Sequence, residues 1–343
     1  MALAIRELDR KHETAWDAFV IAMPVGTFFH RAAWRRVIEQ SFGHRTCYVF
    51  AEQDGAITGV LPLVHMRSLV FGSRLISVPF CVYGGPLATD PETARALSEH
   101  SIDLMRRVGA NLVEFRMREP GVEDWETRSD LYATFRKPFA ADPEKNLKAI
   151  PRKQRAVIRK GLEYGLRSQV DQNPEAFHRL YAVSVRNLGT PVFSRRYFRS
   201  LVDRFRDCSE ILTVLDNGEP VAAVLSFFFR DEVLPYYAGG GPRARQRAGN
   251  DFMYWALMTR AASRGARLFD FGRSKFGTGS FAFKKNWGFE PQPLHYQYAL
   301  RPGYAIPDHN PLNPKYRMLI EAWKRLPLPL ANLIGPAVVR GIG

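Results

Sequence analysis

Gly265-Ala266-Arg267-Leu268-Phe269-Asp270-Phe271 restates Gly109-Ala110-Asn111-Leu112-Val113-Glu114-Phe115 at a distance of 156 positions, and Gly240-Gly241-Pro242 restates Gly84-Gly85-Pro86 at the same distance. In each copy a glycine stops an amphipathic helix, and a short apolar run carrying one acid follows. Upstream of the first copy, Thr46–Ala51 reads as a strand, Asp54-Gly55 as a turn that accepts positive φ, and Thr58–Val64 and Arg74–Val78 as further strands. Pro91–Arg107 is the helix, and Leu112–Met117 the strand after it. The second half keeps this order: strand Ile211–Leu215, turn Asn217-Gly218, strands Val221–Phe229 and Val233–Tyr237, a helix over about Asn250–Arg264, then Leu268–Phe271. Further upstream the distance is 163 positions (Gly55 to Gly218, Thr27 to Thr190), and seven extra residues in one hairpin reconcile the two. Two shared distances with one element order predict a duplicated α/β unit.

Composition agrees with two folded domains. A chain of 343 residues, 46% of them apolar, fills more than one average core. The net charge of +15 favours anionic partners such as a phosphorylated carrier, nucleic acid or an acidic membrane surface. Cys47, Cys81 and Cys208 are scattered and lack metal-binding spacing, so neither a disulfide framework nor a metal centre is expected. The charged N-terminus is not a signal peptide, and no apolar run reaches the ~20 residues of a membrane span. A cytoplasmic location is expected, with peripheral attachment to the inner membrane surface as an option.

Between the copies, Pro151-Arg152-Lys153-Gln154-Arg155-Ala156-Val157-Ile158-Arg159-Lys160 predicts a helix with Arg152, Arg155 and Arg159 along one face. Such a ridge suits phosphates, whether of a diphosphate or of a nucleic-acid backbone, although a solvated charged face is the common alternative. At the far end, Trp323-Lys324-Arg325 precedes Leu326-Pro327-Leu328-Pro329-Leu330 and Leu333-Ile334. This segment reads either as a helix packed on the domain or as one resting in a membrane interface.

Chemistry is expected after the second copy's acid. Phe271-Gly272-Arg273-Ser274-Lys275, then Gly279-Ser280-Phe281-Ala282-Phe283-Lys284-Lys285-Asn286-Trp287-Gly288-Phe289, predicts a strand end, a glycine-punctuated loop and a short helix. Free backbone N–H groups gather at such a junction and favour an anion or a developing oxyanion. Asp270 is the candidate base or amine orienter, with pairing to Arg267 or Arg273 as its structural alternative. Lys284 and Arg273 are the candidates for stabilising oxyanion or phosphate charge. Ser274, Lys285, Tyr236, Tyr237, Arg186 and Asn187 are candidate substrate contacts, and Lys153, Arg155 and Arg159 the candidate phosphate holders.

These residues carry a family likeness. Strand, turn, strand, glycine break, helix, strand, short helix and Gly-Phe resembles the GNAT (Gcn5-related N-acetyltransferase) fold. The duplicated unit, the linker Arg152–Gly161 and Asp270-Phe271-Gly272 with Phe283-Lys284 resemble the Fem-type acyltransferases, which are tandem GNAT proteins. Val185–Phe193, Asn250–Trp255 and Phe271–Lys275 with Phe283–Phe289 look most like the FemAB-like branch associated with PEP-CTERM/exosortase systems. The resemblance implies two tandem GNAT-like α/β domains, each a mixed, mostly antiparallel twisted sheet flanked by helices. Their expected limits are 1–140 (a degenerate copy), a basic linker helix 141–167, a site-bearing copy 168–305 and a Pro-rich tail 306–343. It also implies an N-acyltransferase that moves an acyl or aminoacyl group from acyl-CoA or aminoacyl-tRNA to an amine. The expected acceptor is a lipid- or nucleotide-linked sugar precursor of the cell envelope or an exopolysaccharide; tRNA is an admissible partner and DNA is not expected. A catalytically silent scaffold of the same fold is the rival reading. Two departures stand out. Arg243-Ala244-Arg245-Gln246-Arg247-Ala248-Gly249-Asn250 carries three arginines and one glycine where acetyl-CoA enzymes have a glycine-rich pyrophosphate loop. Lys284 stands where many GNAT enzymes have a tyrosine that protonates the leaving thiolate.

Overall fold

A computed structural model describes residues 3–68, 71–171, 173–306 and 314–342. The chain forms two compact units that are not contiguous in sequence: Met1–Tyr132 with Pro293–Asp308 and Arg340–Gly343, and Ala133–Gln292 with His309–Val339.

The first unit holds a six-stranded sheet in the order Arg45–Thr46, Val64–Ser68, Gly72–Ser77, Leu112–Met117, His295–Leu300, Glu126–Arg128. Gly72–Ser77 and Leu112–Met117 run parallel, with Arg74 opposite Leu112, and their neighbours are antiparallel. A smaller antiparallel sheet joins Ala4–Glu7, Val49–Gln53, Ala56–Leu61 and Leu87–Ala88. Helix Pro91–Val108 begins where the Asp90 carboxylate accepts the Thr93 N–H, and it ends at Gly109 with φ +66°. That left-handed angle is why glycine stands there. Leu97, Leu104 and Met105 of the helix pack on Val49, Leu61, Leu75, Val113 and Phe115 as one core.

The second unit holds an eight-stranded sheet. Its order is Arg167–Asp171, Ser209–Asp216, Glu219–Phe229, Glu232–Gly240, Leu268–Asp270, Tyr132–Pro138, Ser274–Lys275, and Pro291–Pro293 also pairs with Tyr132–Pro138. Glu232–Gly240 and Leu268–Asp270 are parallel, paired at Glu232–Leu268 and Val233–Phe269. Beyond Val233 the first of them stays with Glu219–Phe229 as far as Gly240. Helix Gly249–Ser263 covers the sheet through Phe252, Met253, Leu257 and Ala261, packed with Val214, Val224, Phe269, Phe271 and Trp287.

The duplication is therefore structural: turn, parallel pair, helix and acid-bearing strand recur in both units. The extra residues of the first copy lie where its strand breaks at Pro62-Leu63 into Ala56–Leu61 and Val64–Ser68, which belong to different sheets. They lie also in the irregular stretch 78–86 that follows Ser77. In the second copy Glu219–Phe229 and Glu232–Gly240 run unbroken. Each acid-bearing strand takes its antiparallel neighbour from the sequence that follows the other copy: His295–Leu300 beside Leu112–Met117, and Tyr132–Pro138 beside Leu268–Asp270. The stretch 141–167 contains helices Pro143–Ala149 and Arg152–Glu163, both in the second unit. The tail forms helices Pro314–Arg325 and Leu328–Ile342; residues 307–313 of the expected Pro-rich segment lie outside the described residues. Among the described residues no helix is long and apolar enough to cross a membrane.

Candidate functional site

Asp270 ends its strand fully buried, at 1% exposure. Both carboxylate oxygens are engaged: Oδ2 accepts from Arg136 Nε at 3.2 Å, and Oδ1 from the Gly272 backbone N–H at 2.8 Å. The strand register sets Arg136, 134 positions earlier in the chain, directly opposite Asp270. Arg136 also pairs with Glu232. Through Oδ1 the buried carboxylate holds the turn that follows its strand. The turn it orients needs glycine, since Gly272 has φ +66°.

That turn presents the carbonyls that hold Lys284. From helix Gly279–Asn286, whose N-terminus is capped by the Thr278 hydroxyl, Lys284 Nζ donates to Gly272 O at 2.9 Å and to Arg273 O at 3.0 Å. The amine lies over the rings of Phe135 and Phe271, 5.3 and 5.9 Å from their centroids. Burial pushes Lys284 down to about 7; the Asp270 charge opposes this shift and Arg273 adds to it. Close by in sequence, Ser274 is buried, and its Oγ has no hydrogen-bond partner among the described residues. A buried hydroxyl left without a partner calls for an explanation.

The other candidates are distributed over the same unit. Lys285 is exposed at the end of its helix, one residue from Lys284 but on another face. Tyr236 is the extra residue of a bulge: the pairing passes from Tyr237 opposite Leu225 to Pro235 opposite Ser226. Tyr237 belongs to a ring cluster with Tyr181, Phe193, Tyr197 and Phe198, and its hydroxyl meets that of Tyr197 at 2.9 Å. Arg186 donates from Nη1 to Lys324 O at 3.0 Å, which ties its helix to the C-terminal helix Pro314–Arg325. Asn187 is half-buried at the end of the same helix. Lys153 and Arg159 are exposed, and Arg155 donates to Lys148 O at 3.0 Å. The three arginines of the Arg243–Asn250 stretch are less free than their number suggests. Arg243 and Arg247 both pair with the buried Asp216, at 2.7 and 3.3 Å, and only Arg245 has no ion pair among the described residues.

Sequence reasoning missed Arg136, which meets Asp270 only through sheet pairing, and Glu232, which pairs with Arg136. It also missed the role of Asp251. This carboxyl accepts from Trp287 Nε1 at 3.0 Å and from the Gln154 amide, and burial pushes it up from the carboxylate range. It links the basic helix Arg152–Glu163, the helix Gly249–Ser263 and the Phe283–Phe289 segment in one network. It lies in the Asn250–Trp255 stretch that carries the family likeness, but nothing in that stretch named Trp287 or Gln154 as its partners.

Among the described residues no cluster of three His, Cys, Asp or Glu side chains suits a metal ion. A cleft of about 400 Å³ in the first unit, between the Glu13–Ala22 helix and the Val49–Leu61 hairpin, is lined by His12, Phe19, Phe50, Glu52 and Ile57 and contains none of the candidates.

Comparison with known proteins bears on this geometry directly. Residues 148–285, which include Asp270, Arg273, Ser274 and Lys284, match the acetyltransferase (GNAT) domain family. Both units have the GNAT fold. The crystal structure of FemX is similar over 86% of this chain and 96% of its own, with a TM-score of 0.65 at 14% identity. A tandem GNAT protein from the clavulanic acid biosynthesis pathway is similar over 87% and 98%, with a TM-score of 0.55 at 15% identity. The C-terminal domain of a lysylphosphatidylglycerol synthetase from Agrobacterium fabrum is similar over 84% and 91%, with a TM-score of 0.55 at 13% identity. No curated protein matches the chain. At these identities the likeness is one of fold.

Proposed function

We propose that the second unit is an N-acyltransferase centre in which Lys284 serves the leaving group and the oxyanion. The observation that carries this reading is the lysine's hydrogen bonding. Two of its N–H bonds are spent on Gly272 O and Arg273 O, so the third hydrogen of the ammonium is left for a substrate oxygen. In the neutral amine that position becomes a lone pair. The charge state of one buried group, poised near 7, thus decides between donor and acceptor.

The reaction is acyl transfer. An amine that enters as its free base attacks the acyl carbonyl, the N–C bond forms, and the bond from that carbon to the carrier oxygen or sulfur breaks. The amine's proton passes to solvent, and Lys284 supplies a proton to the departing atom. Asp270 acts as a positioning residue through Gly272, and the Ser274 hydroxyl is free to bind substrate.

The donor is acyl-CoA or aminoacyl-tRNA, and the charge distribution favours the larger polyanion. Arg243 and Arg247 share the one carboxylate of Asp216, whereas Arg152, Lys153 and Arg159 are exposed without ion pairs among the described residues. The acceptor is an amine on a lipid- or nucleotide-linked precursor of the cell envelope or an exopolysaccharide; the PEP-CTERM/exosortase association rests on the sequence likeness alone. The test is mass spectrometry of such precursors incubated with the protein and either donor. A mass increment that wild type produces and Lys284→Met does not supports the reading. Equal increments from both proteins, or none with any donor, overturn it and favour a silent scaffold.

A further inference from the structure

The C-terminal helix Leu328–Ile342 is apolar on two faces. Ala331, Gly335 and Val339 are buried, and a Cβ on Gly335 would stand 2.9 Å from the backbone nitrogen and oxygen of Val192. This is the docked face. Leu330, Leu333, Ile334, Ala337 and Val338, at i, i+3, i+4, i+7 and i+8, form a second stripe, and all of them are exposed. Leu333 reaches 76%. That spacing normally marks a stripe turned into a core. Helix Pro314–Arg325 adds Met318 and Leu319, 80% and 66% exposed. A helix packed by one face in water would carry polar residues at these positions. Here, from Leu326 to Val339, Asn332 is the one polar side chain.

We propose that this stripe rests on an anionic lipid surface. Its ends are basic: Lys324 and Arg325 precede it and Arg340 follows. Lys324 is shared with Glu321 at 2.6 Å, but Arg325 and Arg340 are exposed and have no ion pair among the described residues. An apolar face between cationic ends, too short to span a bilayer, is the pattern of a helix lying in the interface. Charge selects lipid over a second copy of the chain. At +15 each, two copies repel, whereas an acidic leaflet attracts the same charge. The proposal is independent of the acyl-transfer reading, because the stripe contains none of the residues placed at the active centre.

The full chain is sedimented with vesicles of phosphatidylcholine alone and of phosphatidylcholine with phosphatidylglycerol, over a range of salt. Binding is expected to the anionic vesicles only and to weaken as salt rises. Leu333→Glu/Ile334→Glu is expected to lower binding at least about tenfold, and Arg325→Glu/Arg340→Glu to remove its salt dependence. All four positions are exposed, so thermal melts of both variants should match wild type. Absence of binding to anionic vesicles overturns the proposal, as does equal binding by Leu333→Glu/Ile334→Glu. A dimer in size-exclusion chromatography that the same variant dissociates would assign the stripe to a second copy and overturn it too.

Discussion

Glu114 and Asp270 occupy the same position on the same strand of two copies of one fold, and both are buried, at 6% and 1% exposure. Their surroundings differ because their antiparallel neighbours differ. Opposite Glu114 stands Tyr298, and Glu114 turns to Arg116 on its own strand at 2.6 Å. Arg116 in turn lies 5.6 Å over the Tyr296 ring and donates to Cys81 O at 3.4 Å. Opposite Asp270 stands Arg136, which leaves the second carboxylate oxygen for the Gly272 N–H and so shapes the loop that holds Lys284. After Leu112–Met117 the chain runs instead to the strands Glu126–Arg128 and Tyr132–Pro138, with no helix between them. Duplication supplies the scaffold twice. The segment proposed for chemistry follows the acid in one copy only.

The sharpest break of this comparison is Lys284→Met, which keeps volume and removes the amine. Turnover is expected to fall by about 10²–10³-fold, as for loss of one oxyanion donor, with the thermal midpoint unchanged or raised. Steady-state kinetics beside a thermal melt check it. If the ammonium is the working form, kcat/KM of the wild type falls as pH rises through about 7, and Lys284→Arg stays flat over that range. Stability moves the opposite way. The folded-state value lies below the ordinary 10.5, so between about 7 and 10.5 the unfolded chain binds more protons and wild-type stability rises with pH. Below about 7 both states are protonated and the burial penalty is whole. Lys284→Met should lack this rise, which denaturant titrations at several pH values will show.

Glu114→Gln and Asp270→Asn separate folding from chemistry. Glu114→Gln strands a buried guanidinium and should cost about 3–5 kcal/mol, while turnover of the folded enzyme is unchanged. Asp270→Asn leaves Arg136 its partner Glu232 and should cost less, about 1–3 kcal/mol, but lower turnover more. Reversal of that order would place chemistry in the first unit. The smallest effect should also be the most symmetric. Gly109 and Gly265 cap equivalent helices at φ +66° and +88° with open space around them, so Gly109→Ala and Gly265→Ala should each cost about 1–2 kcal/mol from backbone strain alone. Unequal costs, read from chemical denaturation, would show that the caps are not equivalent.

Local rules account for what was legible beforehand. Asp54-Gly55 and Asn217-Gly218 take the left-handed turns their residue types prefer, and Leu112–Met117 is the strand its apolar run predicts. The basic helix starts immediately after Pro151, which is its N-cap. Pairing across the sheet was not legible. Nothing within a few residues of Asp270 names Arg136, 134 positions earlier, and Arg267 and Arg273 were the natural guesses because they are near in sequence. Arg243 and Arg247 looked available because their shared partner Asp216, on a distant hairpin, could not be seen from the local sequence.

By itself, then, the sequence determined the duplicated α/β unit with its turns and caps, because periodicity, glycine angles and helix starts act over a few residues. Tertiary structure alone decided which charges meet, that the Asp270 carboxylate is committed, that Lys284 is buried and pushed to about 7, and that Leu330–Val338 faces outward. Burial and ion pairing depend on which strands become neighbours, and that choice is made by the whole core at once.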